Sequence, residues 1–295
     1  MDGLLSVQSL RVIAAQHRLV GIVRPSSHGA PPSAGRTLRR RVAAAARTLL
    51  GRSGGSLDAI ARSLAVPIWE ARSGDDPEIA GRVCAARPDL ICIAGYPWLL
   101  RGEVVTAAAH GAVNLHPALL PRHRGLLPLF WIYYHNDRET GVTLHRAIAE
   151  ADAGDILGQV SFPLERGFPV DRLNRLNAER GAELLEVVLR DLAAGRAKGR
   201  PQDEALVTQA PRIRPGTAMI DFPVWDVERV WHFMTGLLPR FREPLLTEEG
   251  APLLYGGVRG YVRESHHHPP GTVIRRSDGY DLYCHGGRVR LAVSA

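Results

Sequence analysis

Apolar residues along most of the chain alternate between short continuous runs and longer stretches with helical spacing. Continuous runs bounded by Gly or Pro are typical of buried parallel strands, whereas a period near that of a helix turn indicates amphipathic helices. Short apolar segments predict strands at residues 19–23, 66–69, 90–94, around 114 and 159–164, and alternation of apolar and polar residues predicts one at 142–146. The helical pattern predicts helices at residues 4–15, 56–64, 76–86, 104–109, 128–134 and 170–196. Alternation of the two predicts an α/β domain with a mainly parallel sheet.

The pattern changes after a linker that is rich in Pro, Gly and Arg. A helix is predicted at residues 227–237, and short apolar segments broken by Gly and Pro follow it. These segments lie at residues 253–255, 260–262, 271–274, 281–284 and 289–291. Several short strands at this spacing indicate a small antiparallel barrel. We therefore expect an α/β domain over residues 1–200, a linker over 201–217 and a small β-barrel-like domain over 218–295.

Composition narrows the class of protein. The 295 residues contain no apolar run long enough to span a bilayer, and no basic secretory n-region precedes the first helix. Three scattered cysteines fit neither a disulfide framework nor a Cys-rich metal site, so a cytoplasmic protein is expected. The net charge of +7 permits an anionic partner, although Lys198 is the only lysine and such an arginine bias also reflects a GC-rich coding sequence.

Polar side chains that could take part in catalysis lie together at the end of one predicted strand. Asn114 and His116 are two residues apart, so they share a face just before Pro117 ends the strand. Open α/β sheets place ligands at the carboxyl ends of their strands. Asp152 lies in a polar, Gly-containing loop before another predicted strand, where its carboxylate can orient the imidazole.

These three residue types suit acyl transfer to an amine. The amide N–H of Asn114 can stabilise a developing oxyanion, and His116 can take the proton that an attacking amine loses. Asp152 can fix the tautomer of His116 and hold a water molecule. Because no nucleophilic Ser or Cys is nearby, transfer would be direct, without a covalent enzyme intermediate.

The run Asn-Leu-His-Pro-Ala-Leu-Leu-Pro at residues 114–121 is followed by Arg124-Gly125 and by Asp-Ala-Gly-Asp at 152–155. This combination resembles the folate-dependent formyltransferase family. The resemblance implies a Rossmann-like formyltransferase domain, a small C-terminal OB-like domain and catalytic roles for Asn114, His116 and Asp152. It further implies 10-formyltetrahydrofolate as the formyl donor, with no metal.

The resemblance also implies a site for the pteridine of the donor. The residues expected to form it are Tyr96, Pro97, Trp98, Leu99, Leu100, His145, Ala151 and Asp155. A strand-to-helix turn is the alternative for the first five. For His145, a core or hydrogen-bonded structural role is equally compatible with the sequence.

Two parts of the chain depart from the family pattern. Family members open with a strand and a Gly-rich turn, whereas this chain begins almost inside the first helix. We expect either residues upstream of Met1 or a substitute segment at that central strand position. Residues 36–52 are rich in arginine, and the loop at this place contacts the acceptor stem in the tRNA-acting branch of the family. A solvated connection is the alternative.

The acceptor of the formyl group is left open by the motifs. We favour a primary amine or hydroxylamine of a small molecule, with the amino group of methionyl-tRNA as the alternative, because the C-terminal domain mixes arginines with glutamates. A hydrolase that gives the formyl group to water and a non-catalytic folate-binding protein are further alternatives. The oligomeric state is not indicated.

Overall fold

A computed structural model describes residues 3–26, 57–100 and 103–293. Its helices are α1 Leu4–Gln16, α2 Leu57–Ser63, α3 Pro77–Ala86, α4 Glu103–Thr106, α5 Pro128–Tyr134, α6 Val170–Ala193 and α7 Val227–Leu237. Its strands are β1 Ile22–Pro25, β2 Ile68–Ala71, β3 Ile91–Ala94, β4 Ala112–His116, β5 Glu139–Ala147, β6 Ile156–Pro163, β7 Leu245–Leu246, β8 Pro252–Leu253, β9 Tyr255–Arg263, β10 Val273–Arg276, β11 Gly279–Cys284 and β12 Gly287–Val293.

The chain divides into two compact units that interleave along the sequence. The first comprises residues 1–124, 141–160 and 175–208, and the second comprises 125–140, 161–174 and 209–295. The α/β class and the antiparallel C-terminal part are confirmed. The domain boundaries predicted from composition stay a prediction.

Strands of the first unit lie in two sheets. β1 and β2 are parallel, and the second sheet has the order β3-β4-β5-β6, with β3 and β4 parallel and β4 and β5 antiparallel. Within the described residues, the hydrogen-bonded neighbour of β1 is β2 and that of β3 is β4. The expected additional central strand stays a prediction, and residues 36–52 lie outside the described part of the chain.

One face of β4 is buried against helices. Val113 and Leu115 belong to a core cluster that also contains Leu5 of α1 and residues of α6, including Leu185. Since alternate residues of a strand point to opposite faces, this burial directs Asn114 and His116 to the other face. Gly181 of α6 permits the close approach, because a Cβ there would lie 2.9 Å from Leu115 Cδ2.

The second unit is built on an antiparallel sheet with the order β10-β11-β12-β9. Asp226 is the N-cap of helix α7, and its side chain accepts a hydrogen bond from the Arg229 N–H. Aromatic rings pack edge to face around Phe233 of this helix: Phe130, Tyr134, Trp225 and Phe241. Among the described helices, none has the length and apolar character needed to cross a membrane.

Most predicted elements have somewhat different bounds in the structure. Strands β5 and β6 begin at Glu139 and Ile156 rather than at 142 and 159, and α6 ends at Ala193 rather than at 196. The first two strands cover Ile22–Pro25 and Ile68–Ala71 rather than 19–23 and 66–69, and the helix expected at 104–109 covers Glu103–Thr106. In both strands the apolar run begins before the pairing does: the Ile22 N–H donates to the carbonyl of Pro67, and the register continues to Pro25 and Ala71. The bounds of β1 and β2 are therefore set by the extent of their backbone pairing and not by the apolar runs in the sequence.

Candidate active site

Strand β4 carries Asn114 and His116 on the face opposite its buried apolar side. Asn114 lies opposite Ile93 of parallel β3 and opposite His145 of antiparallel β5, and His116 lies opposite Thr143. His116 is buried, with 3% of its surface exposed. The pairing of β4 with β5 therefore places one amide and two imidazoles side by side near the carboxyl end of β4.

His145 is hydrogen-bonded on both of its ring nitrogens. Its Nδ1 is 2.8 Å from the Arg146 carbonyl oxygen, and its Nε2 is 3.1 Å from Asn114 Nδ2. A carbonyl oxygen only accepts, so Nδ1 must carry the hydrogen and Nε2 must accept from the amide. His145 is thus a hydrogen-bonded partner of Asn114, whatever contact it makes with a ligand.

Asp152 reaches the same place from the loop between β5 and β6. Its Oδ1 accepts a hydrogen bond of 3.0 Å from Asn114 Nδ2, and its Oδ2 is 3.6 Å from His116 Nδ1. The backbone of Asp152 is left-handed, with φ of 53°, a conformation that is uncommon for residues other than glycine. Gly154 lets this loop approach β5 closely, because a Cβ there would overlap the carbonyl oxygen of Arg146.

The protonation state of His116 follows from its partners. Its Nε2 is 2.9 Å from the His123 carbonyl oxygen, so Nε2 carries the hydrogen and Nδ1 keeps its lone pair, facing Asp152. Burial lowers the pKa of His116, and the nearby Asp152 carboxylate opposes that effect in part. His116 is therefore neutral at pH 7 and can accept a proton at Nδ1, where the carboxylate stabilises the resulting charge.

The loop after His116 is held by two residues that the sequence did not single out. Thr143 Oγ1 donates to the Ala118 carbonyl at 2.7 Å and accepts from the Leu120 N–H at 3.1 Å. Gln159 Nε2 donates to the Leu120 carbonyl and to Thr143 Oγ1. Alternation along β5 was the available signal for Thr143, which lies two residues from His145 on the same face.

Three of the other expected site residues pack against a hydrophobic cluster of the first unit. Tyr96, Trp98 and Leu100 follow β3 and pack on the cluster that contains Val83 and Val104. Burial raises the pKa of Tyr96 to about 12, and its hydroxyl has no hydrogen-bond partner among the described residues.

Pro97 and Leu99 alternate with these residues in the sequence and are likewise partly buried. Ala151 and Asp155 flank Asp152 and are exposed. Because β3 and β4 are parallel, the segment after β3 reaches the same sheet edge as Asn114. The described residues contain no group of three or more His, Cys, Asp or Glu that could hold a metal ion.

A family model described as formyl transferase matches residues 17–189. Methionyl-tRNA formyltransferase of Methylococcus capsulatus is 34% identical over 232 residues, which are 77% of this chain and 72% of that protein.

The fold is also similar to solved structures. An N-formyltransferase from Helicobacter canadensis, in complex with folinic acid and dTDP-3-aminofucose, aligns with a TM-score of 0.68 at 14% identity and covers 100% of this chain and 97% of its own. HypX from Aquifex aeolicus aligns with a TM-score of 0.56 at 22% identity over 79% of this chain, and this chain spans 40% of HypX.

Proposed function

The chain belongs to the formyl transferase family, and from this premise we propose that it moves a formyl group from 10-formyltetrahydrofolate to a primary amine or hydroxylamine of a small molecule. The observation that carries the proposal is the contact of Asp152 with both Asn114 and His116, at 3.0 and 3.6 Å. This arrangement pairs a hydrogen-bond donor with a neutral base beside one carboxylate.

His116 is the base of the proposed reaction. When bound, 10-formyltetrahydrofolate supplies the formyl group. As the amine nitrogen forms its bond to the formyl carbon, Nδ1 of His116 takes the proton that the amine loses. The same proton then passes to the nitrogen that departs, so the neutral imidazole is restored. Asp152 stabilises the imidazolium between these two transfers.

Asn114 donates to the formyl oxygen as negative charge develops there. In the resting site its Nδ2 hydrogens point to His145 Nε2 and to Asp152 Oδ1. Protonation of His116 draws the Asp152 carboxylate towards Nδ1, and this releases one hydrogen of Asn114 for the oxyanion. Hydrogen bonds of this kind are commonly misaligned before the substrate binds.

The residues at the sheet edge suit a pteridine donor. In this proposal Pro97 and Leu99 form an apolar wall of the pteridine site, and His145 of β5 and Ala151 and Asp155 of the Asp152 loop line its other side. The proposal is consistent with structural neighbours that hold folates: folinic acid in the Helicobacter canadensis enzyme and tetrahydrofolic acid in HypX.

Charge pairing in the second unit favours a small acceptor over tRNA. Five of the six arginines in the β9–β12 region form ion pairs with carboxylates: Arg259, Arg263, Arg276, Arg288 and Arg290. Paired cations attract phosphates less strongly than free ones do. The Helicobacter canadensis enzyme, which binds an amino sugar nucleotide, matches the whole of this chain in fold.

Methionyl-tRNA is the second candidate acceptor. It is favoured by the relatives from Methylococcus capsulatus and Halalkalibacterium halodurans, both named methionyl-tRNA formyltransferases and 34% and 30% identical to this chain. The arginines of residues 36–52 would be the corresponding contact, and they lie outside the described residues.

Mass spectrometry of product mixtures tests the proposal. The protein is incubated with 10-formyltetrahydrofolate and with amino sugar nucleotides, amino acid derivatives, hydroxylamines or methionyl-tRNA, beside a His116→Gln control. We expect an N-formylated small molecule that the control does not produce. Efficient formylation of methionyl-tRNA alone would reverse the acceptor, and release of formate without any acceptor would indicate a hydrolase.

A further inference from the structure

A buried arginine and an exposed carboxylate, Arg124 and Glu204, are connected through Gln202 to the loop that carries Asp152. Arg124 is 3% exposed, and its guanidinium donates to Glu204 Oε1 at 2.7 Å and Oε2 at 3.2 Å. It also donates to Gln202 Oε1 from Nε at 3.1 Å and from Nη2 at 2.9 Å. These hydrogen bonds orient the Gln202 amide with its oxygen towards Arg124, because a guanidinium offers only donors.

The other end of the Gln202 amide binds the loop of Asp152. Gln202 Nε2 donates to the Asp152 carbonyl at 2.7 Å and to the Gly154 carbonyl at 2.8 Å. Both acceptors are backbone oxygens, so only the amide nitrogen can face them. Arg124 therefore decides which way the amide points, and the amide holds the backbone of Asp152 in its left-handed conformation.

The segment that carries Gln202 also reaches the backbone that positions His116. Thr208 Oγ1 accepts from the His123 N–H at 2.9 Å, and the Thr208 carbonyl accepts from the Arg124 N–H at 2.9 Å. The His123 carbonyl is the partner of His116 Nε2. The segment itself is anchored by paired backbone hydrogen bonds between Arg200 and Ile156.

We propose that Gln202 is a positioning residue of the active site, which sets the distance from the Asp152 carboxylate to His116 by clamping the carbonyls of Asp152 and Gly154. The role deepens the proposed function and rests on it for its catalytic consequence. Its structural consequence, the placement of Asp152, can be measured without a substrate. No motif in the sequence pointed to this residue, because its partners lie at distant positions of the chain.

Imidazole NMR of His116 reports where the Asp152 carboxylate lies. The charged and titratable groups that face His116 are Asp152, His145 and His123. Asp152 raises the pKa of His116, so a carboxylate that moves away leaves a lower midpoint. Gln202→Met removes the amide at similar volume, and Gln202→Leu serves in its place if the first variant does not fold. Gln209→Met makes the same chemical change at an exposed position and is the control.

We expect Gln202→Met to lower the titration midpoint of His116 in the same direction as Asp152→Asn. We expect kcat to fall by up to about 100-fold, the cost of a catalytic group misplaced by roughly 1 Å, while KM for the folate stays within a few-fold. Gln209→Met should match the wild type. An unchanged His116 midpoint in a folded Gln202 variant overturns the role, whether or not the wild type transfers formyl groups. If the wild type transfers no formyl group but the Gln202 variant has a shifted His116 midpoint, only the proposed function is overturned.

Discussion

Each histidine of the site donates from one ring nitrogen to a backbone carbonyl, and this determines what the other nitrogen can do. His116 donates to the His123 carbonyl and keeps a basic Nδ1, whereas His145 donates to the Arg146 carbonyl and accepts from Asn114. One imidazole is thereby a base beside a carboxylate, and the other orients an amide. Burial keeps His116 neutral, which is the form that the proposed reaction requires.

Replacing Asp152 by Asn should change both the rate and its pH dependence. The lowered pKa of His116 places the acid limb of wild-type kcat/KM below about 6.5, the ordinary value for histidine. Without the carboxylate, the pKa falls further, so the limb moves to lower pH while the plateau drops. Steady-state rates between acid and neutral pH measure this. A limb that moves to higher pH would contradict the assigned partner.

At the scale of elements, the sequence predicted best where a local signal marks an end. Helices 128–134 and 227–237 match the structure to the residue, because Pro128 at the first turn and Asp226 at the N-cap define where each begins. Strand periodicity and the loop motif predicted that Asn114, His116 and Asp152 would lie together, and the structure brings them together. Their catalytic roles stay a prediction. Thr143, Gln159 and Gln202 were not identified, because their hydrogen bonds join positions far apart in the sequence.

Strand β5 offers a matched test of how the loop after His116 is held. Thr143 and Thr140 are both buried, but Thr143 Oγ1 has three hydrogen-bond partners, whereas Thr140 Oγ1 has none among the described residues. Thr143→Val should cost about 1–3 kcal/mol of unfolding free energy, since it leaves buried polar groups without a partner. Thr140→Val should cost little. Urea denaturation compares them, and equal losses would refute the distinction.

Helix α7 contains a histidine whose titration should affect stability. Burial, reinforced by nearby arginines, lowers the pKa of His232 to about 3, and its Nδ1 accepts from the Gly167 N–H at 2.8 Å. Below about pH 6.5 the unfolded chain binds a proton that the folded protein refuses. His232 therefore makes stability fall with pH, by at most about 1.4 kcal/mol per unit.

His232→Asn removes that contribution. The difference in unfolding free energy between wild type and variant should shift in favour of the variant as the pH falls from 7 to 4. Denaturation at a series of pH values measures the difference. A difference that does not depend on pH would show that His232 has the same pKa in the folded and the unfolded protein, and would contradict the lowered pKa.

For the whole molecule, the net charge of +7 is a weaker guide to the partner than the pairing of its arginines. Most arginines of the β9–β12 region face carboxylates, so the excess charge of that sheet is dispersed. The fold is shared by enzymes with different acceptors, and the family match extends over residues 17–189. The acceptor therefore has to be identified by measuring how the protein binds and uses each candidate acceptor.

Salt dependence separates the two acceptors. A tRNA held through several phosphates loses affinity with a log–log slope of roughly −0.7 to −0.9 for each phosphate neutralised. A small amine in a pocket should show a slope near zero. We expect kcat/KM for the preferred acceptor to vary only weakly between low and moderate salt. A steep loss, together with transfer to methionyl-tRNA, would establish the second candidate and leave the proposed roles of Asn114, His116 and Asp152 unchanged.

Single-turnover transfer of an isotope-labelled formyl group, compared between wild type and Asn114→Ala, tests the central claim most directly. We expect the label to pass from 10-formyltetrahydrofolate to the amine with no labelled protein at any time. The variant should be slower by about 2.7–4 kcal/mol, or roughly 100- to 1,000-fold, while still binding the folate. A labelled enzyme intermediate would contradict direct transfer, and near-normal transfer by Asn114→Ala would contradict the role of Asn114 in stabilising the oxyanion.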